Sequence, residues 1–173
     1  MPEGGLLLQA LAADARRRDL PLRFTIVGFS DPALTGGLER AGVTETGRYV
    51  GDHEALDMIW RVAADLVLLP AIWPETYSYA LTLALRTGLP VAAFDLGAPG
   101  ERLAAYPNGH RLPYALATDP AAFNDRLLAI DVSETGRLSG PIQAAEYADL
   151  RHDYYGLDPA PVGTDRTIDE DAA

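Results

Sequence analysis

Short apolar runs that stop at Gly, Pro or Asp, each followed by a stretch of helical periodicity, constrain the fold of this chain more than any other feature. Residues 23–28, Arg-Phe-Thr-Ile-Val-Gly, form a largely apolar run closed by Gly28, and residues 65–69, Asp-Leu-Val-Leu-Leu, run into Pro70. Residues 90–95, Pro-Val-Ala-Ala-Phe-Asp, give another, and residues 43–50 a further candidate strand. Runs of this length suit strands buried on both faces of a parallel sheet. Among the intervening segments, Leu7, Leu8, Leu11 and Ala15 recur at helical spacing and predict a helix over 5–18, ending before Leu20-Pro21. Residues 32–41 predict a helix capped by Asp31 and stopped by Gly42, residues 53–63 one capped by Asp52, and residues 77–86 one that follows the run at 65–70. Asp119-Pro120 opens a helix to Ile130, with Pro in the first turn, where its missing N–H costs least. Strands alternating with helices imply an α/β fold built on a Rossmann-like, doubly wound parallel sheet. Ligands of such sheets sit beyond the C-terminal ends of the strands, where Gly28, residues 70–77 and Gly97-Ala98 fall.

Composition narrows the function classes. A chain of 173 residues, 48% hydrophobic and 23% charged, can bury one substantial core. We expect one Rossmann-like domain over 1–157 and a disordered tail over 158–173, which is rich in Pro, Gly, Thr and acids. The domain would close with a helix over 141–155, where Ile142, Ala145, Tyr147 and Leu150 share much of one face. The formal charge of −11 argues against holding nucleic acid or an anionic membrane surface through a general electrostatic field. The basic run Arg16-Arg17-Arg18 reads as the solvated end of a helix, its cations facing the negative dipole end. Without Cys there is neither a disulfide framework nor a thiolate metal site, and His53, His110 and His152 have no spacing that suggests ligation or a Ser-His-Asp arrangement. We therefore assign no metal and no catalytic residue. No apolar segment approaches the roughly 20 residues that cross a bilayer, and there is no signal-peptide pattern, so the cytoplasm is the expected compartment.

The segment Trp73-Pro74-Glu75-Thr76-Tyr77-Ser78-Tyr79 points most directly to function. It joins the strand ending at Pro70 to a helix expected to begin near Thr76. The free N–H groups and positive dipole end of such a helix suit an anionic diphosphate.

Residues 23–130 resemble the donor-binding half of retaining glycosyltransferases of the two-domain GT-B fold. The resemblance lies in Pro-Glu-Thr-Tyr-Ser-Tyr, in Gly88-Leu89-Pro90-Val91, in Asp95-Leu96-Gly97-Ala98 and in Glu101-Arg102-Leu103, and it covers somewhat over half the chain. In that family a Glu, seven residues and a second Glu place the first carboxylate on the donor sugar and the second on the ribose hydroxyls. The resemblance gives Glu75 the first role, orienting the sugar. Thr76, Tyr77 and Ser78 would supply N–H groups or hydroxyls to the phosphates or sugar, Gly28 would leave room for a phosphate, and Asp52 and His53 would lie near the base. The second Glu position holds Leu83, which cannot accept a hydrogen bond. Residues 4–11 look like the family's first helix, which usually opens with Lys-Gly after a strand carrying Arg. Gly4 stands at the Lys position, the preceding strand is not expected within this chain, and the chain has no Lys.

What the resemblance implies is a donor-binding domain for a nucleotide-diphosphate sugar, with no cofactor, transferring a hexosyl group in polysaccharide or glycoconjugate synthesis. It would work with an N-terminal acceptor-binding domain or a partner chain. A catalytically degenerate Rossmann-like module used for protein association or regulation is the alternative, favoured by Leu83 and the missing Lys. Each site residue also has a plain reading. Glu75 and Asp52 serve as helix caps, Gly28 as a turn, His53 as a helix surface residue, Tyr77 and Tyr79 as packing, and Glu101-Arg102 as surface charges at a helix start.

Overall fold

The computed structural model describes residues 3–132, all within one compact unit. The helix expected over 141–155 and the tail expected over 158–173 lie outside the described residues. The chain starts with α1 (Glu3–Arg17), β1 (Thr25–Ile26), α2 (Pro32–Ala41), β2 (Thr44–Glu45) and α3 (Gly51–Arg61). It continues through β3 (Val67–Leu69), α4 (Tyr79–Arg86), β4 (Val91–Phe94), α5 (Gly97–Ala104) and β5 (Gly109–Leu112). A 3-10 turn at Tyr114–Thr118 then leads into α6 (Pro120–Leu128).

All strand pairs are parallel. β1 pairs with β2, and separately β3, β4 and β5 form a sheet in that order, with Val67 opposite Val91 and Val91 opposite Gly109. The sequence does not mark β5, because Gly109-His110-Arg111-Leu112 carries a Gly, two polar residues and a single large apolar one. Its backbone completes the sheet beside β4, with Leu112 buried in the core and Gly109 placed where a Cβ would come within 2.4 Å of the Leu103 carbonyl oxygen.

Helices cover both faces, as a doubly wound sheet requires. Successive side chains of a strand point to opposite faces. Ala92 and Phe94 of β4 accordingly join Leu7 and Leu11 of α1 and Phe123 and Leu127 of α6 in one core cluster. Val91 and Ala93 join Leu81, Ala84 and Leu85 of α4 and Leu103 of α5 in the other. All four β4 residues are buried, so this strand matches the continuous apolar run read from the sequence. Phe94 and Phe123 meet edge to face at 5.6 Å. A smaller cluster of Ala12, Leu38 and Val43 seats α2 on the far end of α1, with Phe24 and Ile26 against it.

The N-terminal strand differs from expectation. Only Thr25–Ile26 forms a ladder, and exposure alternates along it, with Arg23 and Thr25 in solvent and Phe24 and Ile26 half-buried. Two polar side chains in the run decide this, since they turn one face outward and leave a half-buried strand. The helix expected over 53–63 also starts earlier, at Gly51, with Val50 at its N-cap position. Asp52 is not its cap. Glu54 accepts a hydrogen bond from the Val50 N–H at 2.6 Å, and Asp52 instead pairs with Arg86 of α4 at 2.7 Å. Asp31 and Asp119 do cap their helices, accepting from Ala33 and Ala122, and Gly42 closes α2.

The run Arg16-Arg17-Arg18 is more than a solvated helix end. Arg18 donates to the Asp125 carboxylate at 2.6 Å and to the Ala121 carbonyl at 3.2 Å, tying α1 to α6. Behind it, buried Asp14 accepts from Asn124 at 2.9 Å and from Arg17 and Arg18. The Asn124 amide is the main cause that holds the Asp14 carboxyl below its ordinary value; burial opposes it, and the two arginines add to it. A carboxyl lowered in the folded state contributes stability above its unfolded value and loses it as pH falls through the folded one. Asp14→Asn should therefore flatten the acid limb of the stability profile below about pH 4. Urea titrations at neutral and acid pH would check this: wild type should lose midpoint faster than the variant on acidification.

Candidate functional site

The loop between β3 and α4 crosses the C-terminal edge of the three-stranded sheet and makes one wall of a cleft of about 270 Å³. Leu69 and Pro70 at the end of β3 and Ala93 and Phe94 of β4 form its floor, and Trp73, Glu75 and Ser78 come from the loop. Leu96 and Pro99 close it from the α5 side, and Gly4 and Gly5 from the first turn of α1. The lining is mostly apolar, and Trp73, Glu75 and Ser78 are its residues whose side chains carry a polar group. Its place, beyond the strand ends, is where open α/β sheets bind ligands.

The helix after the loop begins later than expected. α4 starts at Tyr79, not near Thr76, and Ser78 is its N-cap, accepting from the Leu81 N–H at 3.3 Å. Ser78 has φ 70°, a left-handed conformation that turns the extended loop abruptly into the helix. Glu75 therefore does not cap this helix, because three residues separate it from Tyr79. It is half-buried in the cleft wall.

Two contacts from α5 fix the loop. The Ala98 N–H donates to the Glu75 carbonyl at 2.9 Å. Gly97 beneath it has φ 58°, and a Cβ there would come within 2.7 Å of the Glu75 carbonyl oxygen and 3.1 Å of its nitrogen. Only Gly meets both the backbone angle and the close approach. One turn further along, Arg102 is half-buried, contrary to its reading as a surface charge. It donates to the Tyr77 and Ser78 carbonyls at 3.1 and 3.2 Å and to the Thr82 hydroxyl at 2.9 Å. Its guanidinium also lies 5.0 Å over the Tyr77 ring, which meets Tyr79 edge-on at 4.9 Å.

The residues singled out in the sequence fall into three groups. Glu75 and Ser78 line the cleft together. Thr76 is exposed on the same loop, and the Tyr77 hydroxyl accepts from Thr82 at 3.2 Å, so neither belongs to the lining. Gly28, Asp52 and His53 are not brought to the cleft. Gly28 is buried at the end of β1 with φ 120°, its N–H on the Thr46 hydroxyl and its carbonyl accepting from Gly47. Asp52 and His53 are exposed in the first turn of α3. Leu83 is half-buried on α4 and outside the lining. The sequence sets Gly97 at a ligand-binding strand end and both Gly97 and Arg102 within the resemblance, but their part in holding the loop is a main-chain contact that no spacing reveals.

Chemically, the lining residues bring a hydroxyl, a carboxylate and an indole N–H, and the starts of α1 and α4 border the cleft. It can orient a hydroxylated ligand and accept limited negative charge. Among the described residues, no cluster of three or more His, Asp or Glu is placed to hold a metal ion, and no helix is long and apolar enough to cross a membrane. Gly97→Ala should destabilise the fold by at least about 2 kcal/mol, since it adds left-handed strain to a backbone collision. Chemical denaturation checks this, and Gly36→Ala serves as the comparison; its added methyl would meet only the end of the Arg40 side chain, at 3.4 Å.

Comparison with known proteins follows the same boundaries. The family model for glycosyl transferases group 1 matches residues 4–130, from the first turn of α1 to just past the end of α6. Among curated proteins, none matches the chain. The family match spans well over half of the sequence and contains every element described above, so this chain belongs to the group 1 glycosyl transferases.

Proposed function

We propose that this domain binds the donor of a glycosyl transfer, a nucleotide-diphosphate sugar, in the cleft between the first turns of α1 and α4. The observation that carries the reading is the convergence of Glu75 and Ser78 with Gly4 and Gly5 at the C-terminal ends of β3 and β4. Glu75 orients the sugar through its hydroxyls and is not a base. The Ser78 hydroxyl and the amides at the two helix starts face the diphosphate, whose negative charge grows as the glycosyl bond breaks. Donors already fixed in place stabilise that charge with little reorganisation. The domain acts with an acceptor-binding domain or partner chain, in the cytoplasm, transferring a hexosyl group during polysaccharide or glycoconjugate assembly. No resident cofactor or metal is part of this reading.

A second reading keeps the fold without the activity. Gly4 brings no cation to the cleft, the chain has no Lys, and Leu83 offers no acceptor for a ribose. A Rossmann-like module so altered would serve protein association or regulation.

Calorimetric titration with UDP, GDP, ADP and their hexose conjugates separates the two. Donor binding predicts saturable heat with one nucleotide series, weakened about tenfold or more in Glu75→Ala, equal to roughly 1.4 kcal/mol or more. Absence of heat at millimolar ligand, or equal binding by the variant, would favour the second reading. Leu83→Glu should strengthen nucleotide binding by about tenfold or more if a charged hydrogen bond to the ribose is restored. Unchanged affinity in that variant would mean that position 83 does not face the ribose.

A further inference from the structure

We infer that the sugar taken by this cleft is a 6-deoxyhexosyl group, one with a methyl where an ordinary hexose carries its primary hydroxyl, and that Leu96 and Pro99 form the wall that selects it. The inference rests on the donor reading above and adds the sugar class to it.

Few side chains of the cleft can bond a sugar. Trp73, Glu75 and Ser78 are the lining residues with a polar side-chain group. In the donor reading the Ser78 hydroxyl faces the diphosphate, and its oxygen already accepts from the Leu81 N–H at 3.3 Å. What is left for the sugar is the Glu75 carboxylate, which only accepts, and the Trp73 indole N–H, which only donates.

The main chain does little to extend this set. Pro70 and Pro99 have no N–H to give. The Leu96 N–H is held by the Phe94 carbonyl at 2.8 Å, and the Glu75 carbonyl accepts from Ala98 at 2.9 Å. The Ser78 carbonyl accepts from Arg102 at 3.2 Å and from the Thr82 N–H at 3.3 Å. Leu69 and Ala93 are ladder partners in the sheet. The floor and the α5 side thus meet a ligand mainly with hydrocarbon, half-buried Leu96 and buried Pro99 making up the latter.

A hexosyl group joined through C1 brings hydroxyls at C2, C3, C4 and C6. Each is a donor as well as an acceptor, and one buried against hydrocarbon without a partner costs binding energy. A carboxylate has two oxygens side by side, so neighbouring ring hydroxyls satisfy it, and the indole N–H serves one more. The C6 hydroxyl is carried outside the ring, apart from such a pair, and it is the group left to the apolar wall. Replacing it by hydrogen leaves a methyl, which gains by contact with Leu96 and Pro99.

Calorimetry of the full chain tests this by comparing a hexose with its own 6-deoxy counterpart on the same nucleotide: UDP-glucose with UDP-6-deoxyglucose, GDP-mannose with GDP-6-deoxymannose, and ADP-glucose with ADP-6-deoxyglucose. In the series that binds, the 6-deoxy conjugate should be about tenfold tighter or more; an apolar pocket rejects an added hydroxyl by up to roughly a hundredfold. Leu96→Ser places a hydroxyl on the wall at the N-cap position of α5, where Leu96 makes no side-chain cap bond and Ser suits the helix. It should cut the preference to about threefold or less, a change of roughly 0.7 kcal/mol or more. Saturable binding in which the 6-deoxy conjugate is no tighter than the hexose would overturn the sugar class and leave the donor reading standing. No heat with any conjugate would overturn both. A preference unchanged in Leu96→Ser, with a Tm showing the variant folded, would overturn the assignment of the selecting wall.

Discussion

Burial of β4 from both sides is the constraint on which the rest of this domain is built. Val91, Ala92, Ala93 and Phe94 are each at most 2% exposed, and their alternation sends two side chains toward α1 and α6 and two toward α4 and α5. Four helices thus take their positions from four consecutive residues. The two Ala residues let helices approach the sheet closely, while Phe94 fills the space under α1 and α6 against Phe123. At its end, β4 delivers the chain to Gly97, so the core strand also sets the height of the cleft rim.

The cleft rim is an arrangement of main chain more than of side chains. Ala98 holds Glu75 by its carbonyl, Arg102 holds Tyr77 and Ser78 by theirs, and Ser78 caps the helix that follows. A loop whose carbonyls are turned inward toward α5 has its side chains freed for the cleft. Arg102 is in this sense a positioning residue, acting on Glu75 and Ser78 through the backbone that carries them.

Much of the fold was legible because it rests on burial periodicity. Leu7, Leu11 and Ala15 gave α1, and the uninterrupted run at 90–95 gave β4, since apolar spacing and a doubly covered strand leave direct traces. The caps Asp31 and Asp119 were legible for a local reason, a short carboxylate just ahead of a Pro-opened helix. What escaped is held by tertiary contact. β5 pairs with β4 through a segment with only one large apolar residue, Leu112, and a Gly109 required by the close Leu103 carbonyl, and Asp52 is drawn to Arg86 of another helix instead of capping its own. At the site, the motif around Glu75 was visible, while the start of α4 was misplaced because Ser78 adopts a left-handed angle that favours Gly. Gly28, Asp52 and His53 were grouped with Glu75 by analogy of position along the chain, and the fold does not bring them to the cleft.

The two tethers of this domain differ in what they are made of. Between α1 and α6, the link runs through two carboxylates, Asp125 bonded to Arg18 and Asp14 bonded to Asn124, and protonation of Asp14 in acid removes the charge that the Asn124 amide favours. Around the cleft, the Arg102 bonds described above join a guanidinium to peptide carbonyls and a hydroxyl, with no carboxylate among them. Acidification thus loosens the helical seam on one side of the sheet, whereas the Arg102 bonds that hold the loop carrying Glu75 contain no carboxylate to protonate.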